Sequence, residues 1–164
     1  MNDGKVLHAI HGGIHVLRFV GDIRYTLSPS LNRFLKEIFS VGPPAGFLID
    51  LTETDSIDST NLGLLARIAQ RMKSLNGPRV TILSDRADIN AVLTSMAFDD
   101  VFDIVNHTSL ETGAEQELAQ QSAGKEALTR TVLEAHRALM ELSEHNEEMF
   151  RDVVATLEKN MVKE

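Results

Sequence analysis

One short run concentrates the chemistry this chain can offer: Asp58-Ser59-Thr60-Asn61-Leu62-Gly63-Leu64-Leu65. A serine hydroxyl set against an acid is either a plain helix cap or a phosphoryl acceptor. The run follows Phe47-Leu48-Ile49-Asp50-Leu51, which reads as a buried strand, and it opens a stretch with helical apolar spacing. Ser59 therefore falls at or near a helix N-terminus, where unpaired backbone N–H groups and the helix dipole favour an anion. A phosphate there would put up to about two negative charges beside Asp55 and Asp58, a surface change that a partner reads without refolding. As a cap alone the serine is worth about 1 kcal/mol, and by spacing alone the cap is the commoner outcome.

Other reactive residues form weaker patterns. His8, His11 and His15 cluster across a hairpin whose turn is Gly12-Gly13. That turn puts His8 and His15 on one face and His11 on the other. With no acid close by, the three do not make a converging ligand set, and no metal is expected. His107, His136 and His145 are scattered. There is no Cys, hence no disulfide, thiolate site or Cys nucleophile. No Walker-type run, Gly-x-Gly-x-x-Gly run or Gly-x-Ser-x-Gly elbow occurs, so neither an enzyme nor a cofactor is indicated.

The elements that must position Ser59 follow from periodicity. Residues 5–11 and 14–20 read as strands joined by the Gly-Gly turn. Ser28-Pro29 starts a helix with Leu31, Phe34, Leu35 and Ile38 on one face, and Gly42-Pro43-Pro44 ends it. After the strand at 47–51, a helix from about Thr60 to Leu75 carries the stripe Leu65, Ile68, Met72, Leu75 and stops at Asn76-Gly77-Pro78. Val80–Leu83 is a short strand. Ser84 or Asp85 caps a helix bearing Ile89, Val92, Leu93 and Met96, and 101–105 is a last strand. Strands alternating with helices after an initial hairpin predict an α/β fold with a mixed sheet.

The last third differs in kind. Thr108–Glu111 and Thr112–Glu115 have capping-box form. They predict a short helix over about 112–123, then a long one over about 125–160. Leu128, Val132, Ala135, Leu139, Leu142, Asn146, Met149 and Val153 alternate spacings of 4 and 3, a heptad seam with Asn146 at an a-type position. Leu133, Met140, Phe150, Val154 and Leu157 widen the apolar face, which favours packing on several neighbours, a homodimer partner among them.

Of the net charge of −8, residues 1–110 contribute −2 (10 basic, 12 acidic) and residues 111–164 contribute −6 (6 basic, 12 acidic). There is no basic patch for nucleic acid. No apolar run reaches the roughly 18 residues of a membrane span. The start lacks a signal-peptide pattern, and a cytoplasmic protein is expected.

Phe47–Leu51 followed by Asp58-Ser59-Thr60-Asn61-Leu62-Gly63 resembles the signature of STAS domains, and among them the bacterial anti-sigma factor antagonists. The family pattern is a buried strand ending in Asp-Leu, a short spacer, then Asp-Ser-Ser/Thr-Gly-Leu-Gly. Gly21-Asp22-Ile23 resembles the family's turn after its second strand. Ile89 to Phe98 with Val101-Phe102 resembles its third helix and last strand. The likeness covers about residues 5–107, which implies a STAS domain over 1–108 and a helical extension over 109–164.

The resemblance implies a non-enzymatic partner switch. An anti-sigma factor that is also a serine kinase phosphorylates Ser59, with Ser56 a lesser candidate, and a PP2C-type phosphatase reverses it. The unphosphorylated form binds the anti-sigma factor. The docking surface would comprise Asp22, Arg24, Asp58, Thr60, Asn61 and Leu62. Two positions depart from the pattern. Asn61 stands where the family has Gly, so a partner would meet a side chain. Arg24 stands where many members have Asp, and it would pair with a phosphate on Ser59 if the turn lies close. The alternative is a non-switching scaffold that oligomerises through its C-terminal helices.

Overall fold

Strands β1 (Lys5–His11) and β2 (Ile14–Ile23) pair antiparallel, with Ile10 opposite His15 and His11 opposite Ile14. Gly12 and Gly13 take φ of 58° and 81°, the left-handed geometry that a two-residue hairpin of this twist demands. The structure is a computed structural model that describes residues 3–108, 114–120 and 122–162. Helix α1 (Ser28–Ser40) begins with Pro29 in its first turn and buries Leu31, Leu35 and Ile38. Ser28 is its first residue and not its cap; the hydroxyl donates to the Tyr25 carbonyl.

Strand β3 (Gly46–Asp50) then enters beside β2, parallel to it. Asp50 Oδ1 accepts from both the amide and the hydroxyl of Thr52, a local turn that stops the strand. Next comes β4 (Thr54–Ile57), a strand absent from the sequence-based expectation. Thr54-Asp55-Ser56-Ile57 has no apolar run; it is a strand because β2 continues past Val20 to Ile23 and offers it a parallel edge, with a register shift at Gly21/Asp22. The buried Thr54 hydroxyl donates to the Phe19 carbonyl and fixes the crossing.

Helix α2 (Ser59–Ser74), β5 (Thr81–Leu83), α3 (Ala87–Ser95) and β6 (Asp103–Val105) complete the alternation. Helix α3 starts later than the candidate caps Ser84 and Asp85; Arg86 is its N-cap residue and makes no side-chain cap bond. Among the described residues, seven strands form one mixed sheet in the order β6-β5-β3-β2-β1-β7, where β7 is Gln116–Glu117 and β4 lies beside β2. The core joins sheet residues Leu17, Phe19, Ile49 and Ile82 to Leu31 of α1, Leu65 and Ile68 of α2, and Leu93 of α3.

The extension departs from expectation twice. The predicted helix over 112–123 is not there in the described residues. Gln116–Glu117 instead adds strand β7 antiparallel to the edge of β1, and the Leu118 amide donates to the Val6 carbonyl. Glu115 takes a two-pronged hydrogen bond from Arg18, at 3.0 and 2.9 Å, while Arg18 also pairs with Glu53. An edge strand with open hydrogen-bonding groups recruited this polar segment. The first predicted capping box lies largely, and the second partly, outside the described residues.

The long helix over 125–160 is in fact two, α4 (Lys125–Met140) and α5 (Glu144–Val162), which pack on each other as a hairpin. The break at Glu141-Leu142-Ser143 contains neither Gly nor Pro, so a heptad count runs through it unmarked. Asn146 is therefore no coiled-coil register residue. It is fully buried, and its Nδ2 donates to the carbonyls of Leu139 and Met96, at 2.9 and 2.8 Å. One side chain thus closes the end of α4 and ties the hairpin to the end of α3.

Candidate functional site: the covered N-terminus of helix α2

The start of α2 is held from both sides. The Asp58 amide donates to the Ile23 carbonyl at 3.0 Å, which anchors the junction to the end of β2. Asp58 is the N-cap: its Oδ1 accepts from the Asn61 amide at 3.0 Å and from Asn61 Nδ2 at 2.9 Å. This leaves Ser59 as the first helical residue, with a hydroxyl that capping does not use. Asn61, where the family pattern has Gly, is completely buried and folded back onto Asp58, so no partner meets its side chain here. Its Oδ1 has no hydrogen-bond partner among the described residues.

The Ser59 hydroxyl is engaged elsewhere. Its Oγ lies 2.9 Å from Nε2 of His136 on α4. His136 is 5% exposed, and its Nδ1 lies 2.7 Å from the Val132 carbonyl. A carbonyl only accepts, so in the neutral ring Nδ1 carries the proton, Nε2 is the acceptor, and Ser59 donates. The Phe150 ring of α5 meets the imidazole edge-on, with centroids 5.1 Å apart. This is a Ser–His pair whose orienting group is a backbone carbonyl, without the carboxylate of a hydrolase triad. What it does chemically is hold the hydroxyl in an internal hydrogen bond.

Further along, α2 and α4 nearly touch backbone to backbone. A Cβ added at Gly63 would lie 2.1 Å from the Ala135 carbonyl oxygen, so only glycine permits this crossing. Arg67 donates to Glu134 at 2.9 Å and to Asn32 of α1 at 3.3 Å, and Gln70 donates to the Ala138 carbonyl at 3.1 Å. Ser59, Gly63, Arg67 and Gln70 are spaced 4, 4 and 3, a single helical face turned toward α4.

The predicted docking residues are distributed differently from expectation. Thr60, Asn61 and Leu62 are buried, not presented. Asp22 accepts a hydrogen bond from the exposed Ser56 at 2.8 Å. Asp22 and Arg24 line a cavity of about 390 Å³ with Asp3, Gly4, Thr26, Leu27 and Gln120, and Ser59 is not part of its lining. His136 was not singled out by any local pattern; its one sequence-level trace is adjacency to Ala135 in the apolar seam.

The hairpin histidines do meet. His8 Nε2 and His15 Nδ1 are 2.9 Å apart, the rings are stacked, and His8 also meets Phe34 of α1 edge-on. Burial lowers the pKa of both, and His15 lowers that of His8 further by charge repulsion. His11 is exposed, away from them. Among the described residues no group of three or more His, Asp or Glu is disposed to hold a metal ion.

With this geometry in place, comparison with known proteins places the fold. Residues 6–111 match the STAS domain model, well over half of the chain. The chain belongs to the STAS domain family. A solved structure similar to this STAS protein is that of an anti-sigma factor antagonist from Mycobacterium paratuberculosis, with a TM-score of 0.56 and 18% identity, covering 64% of this chain and 87% of that one. No curated protein matches this STAS chain. No described helix of it is long and apolar enough to cross a membrane.

Proposed function

We propose that this STAS protein is an anti-sigma factor antagonist whose partner binding is switched by reversible phosphorylation of Ser59. The observation that carries this reading is Ser59 itself. It is the first residue of α2, directly after the true cap Asp58, at the end of a helix whose dipole favours an anion, and it does not cap. In this reading the unphosphorylated chain engages an anti-sigma factor that doubles as serine kinase. A PP2C-type phosphatase restores it. The chain acts by binding alone, in the cytoplasm, with no catalysis and no nucleic-acid or membrane partner. Asp22, Arg24 and Asp58 form the docking surface, with the buried Thr60, Asn61 and Leu62 fixing the start of α2 beneath it.

Mass spectrometry after incubation with an ATPase-type anti-sigma factor kinase is the test. The expected result is one phosphate, on Ser59, with strong partner binding by Ser59→Ala and weak binding by Ser59→Asp. Phosphate on Ser56 alone, or equal binding by the two variants, would remove the reading. Within it, Arg24→Ala should alter the turnover of phospho-Ser59.

A second reading has its own support. Ser59 is tied to the buried His136, and Met149 and Val153 stand 41% and 43% exposed one turn apart on α5. Here the chain is a non-switching scaffold that pairs through α5, homodimer first. Light scattering distinguishes the two: complexes of the same size for Ser59→Ala and Ser59→Asp favour the scaffold.

A further inference from the structure

The face of α2 that begins at Ser59 already has an occupant. We propose that this face is a helix-accepting surface which the chain's own α4–α5 hairpin fills, and that a partner using it must displace the hairpin and present an amphipathic helix with small residues at the crossing. The proposal rests on the reading of α2 as the docking face, and it names the kind of partner that face fits.

Three observations support it. First, the crossing is shaped for a helix backbone: Gly63 has no Cβ where Ala135 passes, and Ala138, three residues on, is buried as well. Leu139 follows as a fully buried anchor. Ala135 is itself fully buried, with its backbone against Gly63. Second, beside the apolar packing of Ala135, Ala138 and Leu139, this face carries polar bonds that another helix could remake: Ser59 to His136, Arg67 to Glu134, and Gln70 to the Ala138 carbonyl. Third, the described residues that join the hairpin to β7, between Leu118 and Lys125, have no regular structure, and Gly124 has open space where a side chain would be. Strand β7 can stay on β1 while α4 and α5 move away.

Two substitutions in the full chain open the hairpin in opposite ways. Ala135→Glu places a charge against Gly63 and leaves the α2 face intact. Gly63→Ala favours helix α2 itself but blocks the crossing. The reporter is carbethoxylation of His136 by diethyl pyrocarbonate, read by peptide mass spectrometry against the exposed His11, His107 and His145. The relative rate at His136 should rise about 5- to 30-fold in both variants. A fluorescent peptide of residues 125–142, which is α4 with its wild-type crossing, should bind Ala135→Glu saturably, and neither the wild type nor Gly63→Ala. Amide exchange should show β2, β3 and β5 still protected in both.

Unchanged His136 reactivity would overturn the proposal. So would an opened Ala135→Glu chain that ignores the peptide, or Gly63→Ala binding it as well as Ala135→Glu does. Loss of sheet protection in both variants would overturn it too, since α4 would then be inseparable from the fold. No kinase or anti-sigma factor enters the experiment. Its failure leaves Ser59 phosphorylation standing, and failure of phosphorylation leaves this face standing.

Discussion

Helix α2 has two opposite faces, one buried and one half-buried under α4, built from different materials. Leu65, Ile68 and Met72 form one, and each is no more than 1% exposed in the main core. Gly63 lies roughly opposite them at about 100° per residue, on the face with Ser59, Arg67 and Gln70. The first face is hydrocarbon against hydrocarbon and has no better place to go. The second is small and polar, and its hydrogen bonds could be remade with water or with another protein at little net cost. One helix therefore serves as a permanent wall on one side and as an exchangeable seat on the other.

The sharpest way to break this comparison is to damage the wall. Leu65→Ala should cost about 2–5 kcal/mol, the range for emptying a fully buried leucine site. The loss should appear as one cooperative shift of the urea midpoint, because the wall belongs to the whole fold. A loss confined to the extension would mean that the two faces are not distinct. On the exchangeable side, Asn146→Ala removes the donor shared by the Met96 and Leu139 carbonyls. The Leu139 carbonyl keeps the Leu142 amide, so the loss falls on the half-buried Met96 carbonyl and should cost about 1–3 kcal/mol. Here the expected signature is local: faster amide exchange in α4 and α5, with β2 and β3 unchanged. Equal acceleration in the sheet would tie the hairpin into the same cooperative unit as the wall.

The contrast also explains what could be read from the residues alone. The wall announces itself, because Leu65, Ile68 and Met72 have helical spacing and nothing in water explains them. The hairpin turn, most of the strands and the stop at Asn76-Gly77-Pro78 were legible for the same reason: apolar period and turn chemistry are local. The seat was not. Ser, Gly, Arg and Gln at helical spacing look like a solvated face, and only the tertiary position of α4 reveals that they are covered. Strand β4 was missed because its pairing with β2, not its composition, makes it a strand. The heptad seam misled in the opposite direction, since its spacing persists through a reversal that carries no Gly or Pro. Asn146 looked like a register residue and serves as a cap between helices. Of the candidate site, Asp58 and Ser59 were placed correctly at the helix start. His136, the residue that Ser59 touches, lies 77 positions away with no local pattern to mark it.

A smaller effect should sharpen the boundary between cap and acceptor. Asp58→Ala removes the bonds from the Asn61 amide and side chain, at about 0.5–2 kcal/mol. Ser59→Ala removes only the bond to His136 and should cost about 0.5–1.5 kcal/mol, with the exchange change centred on α4 and not on the first turn of α2. If Ser59→Ala frays the start of α2 as Asp58→Ala does, then Ser59 is part of the cap and the division of labour between the two residues fails.

The smallest expected effect concerns acid, and it tests whether a half-buried histidine pair elsewhere in the fold behaves like the seat or like the wall. His8 and His15 stack between Phe34 and Phe47, and burial holds the pKa of both below 6.5. The folded chain therefore keeps them neutral while the unfolded chain takes up protons near pH 6.5, so the unfolded state binds more protons below that value. Their contribution to stability is fully present above pH 6.5 and declines as pH falls through it toward the lowered folded values. Urea midpoints should fall between about pH 7 and pH 5.5, and His8→Gln with His15→Gln should flatten that slope. Because these rings are packed by α1 and β3, the acid-induced loss should be global, as for Leu65→Ala. An identical slope in the double variant would move the acid sensitivity elsewhere. A loss restricted to α4 and α5 would mean that the packing of His8 and His15 by α1 and β3 does not govern the acid response, and the two histidines would belong with neither face of α2.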